Sequence, residues 1–111
     1  MTGPALLAAR WQILVPFDRR EGCTLGQAAL IAGKGETTVR TWCQRDGIGR
    51  RVAGGTWVVS RVALRMLLDG DSQALTAYLA GVRAVDPVAS YYRRLGLGAV
   101  LVALAAFAAS A

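Results

Sequence analysis

The chain contains no histidine, and only seven of its 111 residues are acidic. Without imidazole it lacks both the most versatile acid–base group and the commonest metal ligand. Its two cysteines, Cys23 and Cys43, have the wrong number and spacing for a metal cluster. No pair of carboxylates shares a motif. Gly33-Lys34-Gly35 precedes a helical segment, but it has neither the preceding strand nor the hydroxyl residue of a phosphate-binding loop. These absences point away from an enzyme and predict no catalytic residues, no cofactor and no metal. A disulfide between the two cysteines stays open, although Cys43 falls on an apolar helix face, which favours two reduced thiols in a cytosolic protein. Residues 1–14 make a poor secretory leader, because Arg10 and Gln12 interrupt a short apolar run.

What the chain does have is arginine. Twelve of the thirteen basic residues are arginine, and the net charge is +6. A guanidinium grips phosphate or a guanine edge with two parallel bonds, which an ammonium does not. Residues 34–65 hold Lys34, Arg40, Arg45, Arg50, Arg51, Arg61 and Arg65 against Glu36 and Asp46, a net +5 of the total. A chain of this length supports one small core with extensions.

The pattern divides the chain into four parts. Residues 1–23 form an N-terminal helix over 5–14, with Leu7, Trp11 and Leu14 at helical spacing and Pro16 as its stop, then a polar linker over 17–23. Residues 24–71 open on Thr24-Leu25-Gly26-Gln27, a capping box, followed by a stripe of Leu25, Ala28, Ala29 and Ala32 that Gly33 ends. After the short turn a second helix spans 36–45, with Val39, Trp42 and Cys43 inward. Two short strands over 50–53 and 56–59 follow, joined by Gly54-Gly55 in a type I′ turn, with Trp57 inward like Trp42. Ser60 caps a third helix that runs to Asp69-Gly70. Residues 72–94 carry accessory helices, the first over 72–85 and the next begun by Asp86 as cap with Pro87 at its first position. Residues 95–111 hold no charge and one polar residue, Ser110.

Ala29, Gly33 and Val39 fall where a helix-turn-helix needs a small residue, a turn glycine and a buried aliphatic plug. TTVRTWCQRDGI followed by RRVAGGTWVVSRVALRMLLDG resembles the winged-helix domain of excisionases and the MerR superfamily. The resemblance covers residues 24–71 and departs from the family at Lys34, in place of an apolar turn residue, and at Gly35, in place of a Ser or Thr cap. It implies a mainly α fold with a small β-hairpin wing, a winged helix-turn-helix with flanking helices. It further implies that helix 36–45 enters the major groove of double-stranded DNA. Arg40 would read guanine and Gln44 adenine. Thr37, Thr38 and Thr41 would meet phosphate or a thymine methyl, Arg45 would lie on the same face, and Arg50 and Arg51 would grip the backbone or minor groove.

The expected function is an excisionase-like recombination directionality factor or a small transcriptional regulator. One such domain buries only ~600–1,000 Å² on DNA, so specific binding calls for cooperating copies, a homo-oligomer, or a protein partner such as an integrase. The alternatives are a small subunit of a phage terminase, and a membrane-tethered protein-interaction module. The apolar tail, 95–111, has three readings: a helix packed on the domain or on a second subunit, a tail anchor, or a disordered end. The expected location is the cytoplasm, at the nucleoid, with membrane attachment tied to the anchor reading. Tyr91-Tyr92-Arg93-Arg94 reads as an ordinary helix face rather than a stacking platform for nucleic acid.

Overall fold

Six helices and a three-stranded antiparallel sheet make up the described residues, 12–51 and 53–110, of the computed structural model. The expected N-terminal helix lies largely outside these residues, and its described end, 12–14, is not helical. In chain order the elements are β1 (Gly22–Cys23), α1 (Leu25–Ala32), α2 (Glu36–Asp46), β2 (Gly49–Arg51), β3 (Trp57–Ser60), α3 (Arg61–Leu68), α4 (Ser72–Leu79), α5 (Val88–Arg94) and α6 (Gly98–Ser110).

Local chemistry sets the first helix pair. Thr24 Oγ1 accepts from Gln27 N at 3.0 Å, and Thr24 N donates to Gln27 Oε1 at 2.9 Å, so two free helix-end donors are satisfied reciprocally. Gly33 ends α1 in the left-handed region, φ 67°, and Gly35 starts α2 with no side-chain cap. Leu25, Ala28 and Ala29 turn inward from α1 and meet the fully buried Val39 of α2.

The sheet runs β1-β3-β2, with Cys23 and Gly49 both opposite Val59. The end of the expected polar linker is therefore a strand. Gly22–Cys23 pairs with β3, and Glu21 accepts from Arg61 N through its carbonyl at 2.9 Å. Ser60 caps α3 by accepting from Ala63 N at 3.1 Å.

The accessory segment differs from expectation at two points. The helix expected over 72–85 stops at Leu79, and Arg83 folds back to donate to the carbonyl of Tyr78 at 2.6 Å and of Val82 at 2.8 Å. Asp86 does not cap α5; its carboxylate pairs with Arg93 at 2.8 Å instead, and Pro87 precedes the helix without a side-chain bond.

The apolar tail forms α6, which enters the core through Val100 and Leu104, with Leu97 and Leu101 packed behind them. Its other side leaves Val102 72% exposed, flanked by Ala99, Ala103 and Ala106. Thirteen helical residues rise about 20 Å, against about 30 Å of bilayer hydrocarbon. No helix among the described residues is long and apolar enough to cross a membrane.

Candidate functional site

Helix α2 is two-faced. Val39 and Cys43 are buried, while Thr37, Thr38, Arg40, Thr41, Gln44 and Arg45 are all exposed. Arg40 and Gln44 have no side-chain partner among the described residues, so their donors and acceptors are available. Arg45 is less free, since its guanidinium pairs with Asp46 at 2.8 Å. Thr41 donates back to the carbonyl of Thr37 at 3.1 Å, which leaves its oxygen free to accept. The six residues thus form one row of mixed donors, acceptors and methyl groups along an exposed helix.

Close packing fixes that row against the sheet. A Cβ on Gly49 would lie 2.7 Å from Cys43 Sγ and 2.7 Å from the carbonyl oxygen of Val58, so only glycine lets α2 settle this near β2. Both cysteines are free thiols and buried. Burial, with Cys23 nearby, pushes the Cys43 thiol up to about 11 against the opposing charge of Arg40.

The hairpin separates two arginines that lie together in the sequence. Arg50 pairs with Val58 and Arg51 with Trp57, so strand alternation sends them to opposite faces. Arg51 shares the face of Gly49 and points along the hairpin, where its Nε donates to Gly55 O at 2.9 Å and its Nη2 to Gly54 O at 2.7 Å. Its guanidinium also sits 5.8 Å from the centre of the Trp57 ring. The two left-handed residues of the turn are Ala53, φ 53°, and Gly54, φ 71°, one position earlier than the Gly-Gly pair suggested. Trp42 and Trp57 are half-buried at the edge of the core rather than inside it.

Between the C-terminal half of α2 and this hairpin lies an open cleft of about 560 Å³, lined by Gln44, Arg50, Arg51 and Trp57 among others. Ile13, Cys43 and Gly49 complete its lining, so the cleft is apolar at its floor with arginine at its rim. Comparison with known proteins finds no matching family model, no similar curated protein and no similar solved structure. The site is therefore argued from its own chemistry. Among the described residues no group of three or more metal-binding side chains comes together.

Sequence reasoning passed over a second polar constellation, behind the sheet. Glu21 is 1% exposed and its carboxylate accepts from three hydroxyls: Ser60 Oγ at 2.7 Å, Tyr92 OH at 2.7 Å, and Tyr78 OH. The Tyr78 oxygen in turn accepts from Leu14 N at 2.9 Å. A buried carboxylate costs several kcal/mol unless such donors replace water. Burial and the neighbouring carboxylate drive both tyrosine hydroxyls well above their ordinary range, so they remain donors. Arg83, 9% exposed, stacks 3.8 Å from the centre of the Tyr78 ring and also donates to the carbonyls of Gln12 and Val15. Nothing in the sequence around Glu21, a short run of mixed charges, signals this role. Tyr91 and Tyr92 are both buried, with Arg94 stacked 4.1 Å from the centre of the Tyr91 ring, which agrees with an ordinary helix face.

Proposed function

We propose that this chain binds double-stranded DNA as a winged helix-turn-helix protein of the excisionase or MerR type. The carrying observation is the exposed row on α2, with Arg40 and Gln44 unengaged, immediately beside a basic hairpin. Helix α2 would lie in the major groove, where Arg40 takes a guanine edge and Gln44 an adenine, each pair discriminating by about 1–3 kcal/mol. Thr37, Thr38, Thr41 and Arg45 would hold the backbone or a thymine methyl, and Arg50 would reach phosphate from the hairpin. The role that follows is a recombination directionality factor or a compact transcriptional regulator, with several copies cooperating on neighbouring sites.

The test is selection of genomic fragments by the full chain across a salt series, beside Arg40→Ala. Discrete sites lost in the variant support the reading, and their position at an attachment site or a promoter separates excision from transcription. Binding that is blind to sequence, or absent, sinks it. A second reading, a protein-interaction module, is favoured by the uncharged outer side of α6 with Val102 exposed. It predicts a stable complex with a protein partner that is lost on Val102→Lys.

A further inference from the structure

The two adjacent hairpin arginines have different environments. Arg51 is committed within its own hairpin: both turn carbonyls, Gly54 O and Gly55 O, accept from it at 2.7 and 2.9 Å, and Trp57 lies under its plane. Arg50, on the opposite face, has no ion pair or side-chain hydrogen bond among the described residues. The turn that Arg51 spans includes Ala53 at φ 53°, a left-handed conformation that a non-glycine residue adopts only under constraint. Two charge-assisted bonds from Arg51 reach the carbonyls just beyond it.

We infer that Arg51 is a positioning residue, a latch that sets the shape of the hairpin tip, and not one of the groups that neutralise phosphate. This rests on the DNA-binding reading and deepens it. The planar fork matters, because one guanidinium spans two successive carbonyls while staying within 5.8 Å of the indole centre. An ammonium at the end of a lysine chain offers no such plane. The division of labour is that Arg51 shapes the tip and Arg50 contacts the backbone.

The experiment compares full-length Arg51→Ala, Arg51→Lys and Arg50→Ala in two readouts. In free protein, NMR follows amide exchange at Gly54–Thr56 and the Trp57 indole shift. Both should change in Arg51→Ala and in Arg51→Lys, with the core resonances unmoved. On DNA, Arg50→Ala should flatten the slope of log K against log salt by about one phosphate contact. Arg51→Ala and Arg51→Lys should leave that slope at the wild-type value. Both should lose affinity by about tenfold, with the phosphate contact of Arg50 kept and protection on the flank facing the hairpin weakened but still present. An unchanged hairpin spectrum in Arg51→Ala overturns the latch, and so does a salt slope flattened by one contact, or full rescue by lysine. If wild-type protein binds no duplex, the DNA-binding reading fails by itself, and the NMR comparison still decides the latch.

Discussion

Tyr92 donates its hydroxyl to Glu21 Oε1 over 2.7 Å, across 71 residues of chain. The bond ties α5 to the residue just before β1, and Tyr78 and Ser60 complete the set from α4 and the start of α3. The accessory helices are therefore fastened to the sheet that carries the hairpin.

That fastening should dominate stability. Glu21→Ala strands three buried hydroxyls, each costing about 1–3 kcal/mol if left unpaired. We expect a loss of about 3 kcal/mol or more in urea unfolding, and a smaller loss for Glu21→Gln, which keeps one acceptor. A Glu21→Ala protein within 1 kcal/mol of wild type by the same measurement would show the clamp to be incidental.

The tail helix should be sensitive on one side only. Leu104→Ala opens a cavity in the core and should cost about 2–4 kcal/mol. Val102→Lys lies on the exposed side and should change stability by less than about 0.5 kcal/mol. Equal losses from the two would place α6 differently against the core.

The thiols give a pH prediction. The folded Cys43 pKa of about 11 lies above its ordinary 9, so the native state holds this proton more tightly than the unfolded chain. The resulting stability is fully present below pH 9 and is lost as pH climbs through about 11. Tyr78 and Tyr92, also raised, act with the same sign. The thermal midpoint should fall over that alkaline range. Alkylation of native protein at pH 8 should be slow at both cysteines and rapid only after unfolding; fast labelling of native Cys43 would contradict its burial.

On DNA, Arg40→Ala should weaken the preferred site by about 1–3 kcal/mol and relax the choice at one base position. Gln44→Ala should relax a different one. Titration of a site library, not of a single duplex, reads the difference. A uniform loss over all sequences would reassign Arg40 to the backbone.

What was legible in the sequence is what is decided locally. The capping box of Thr24 and Gln27, the turn at Gly33, the buried Val39 and the cap at Ser60 all depend on residues within a few positions. The exposure of Arg40 and Gln44 followed from helical periodicity in the same way. Glu21 was not legible, because its three partners lie 39, 57 and 71 residues away. Alternation along β2 is also a local rule, and it sends Arg50 and Arg51 to opposite faces. The capture of Arg51 by Gly54 and Gly55 depends on turn geometry, and the left-handed pair began at Ala53, where no glycine marked it. The aliphatic neighbours of Trp42 and Trp57 suggest core positions, but both pack half-buried at its edge, as large indoles commonly do.

The Glu21 clamp also has a bearing on how the molecule is made. A nascent chain that has emerged only through α3 carries a carboxylate whose other two donors, on α4 and α5, are not yet free to fold. Until those helices dock, Glu21 keeps water where the finished protein has the two tyrosine hydroxyls. Two tyrosines that arrive late thus close the interior from behind.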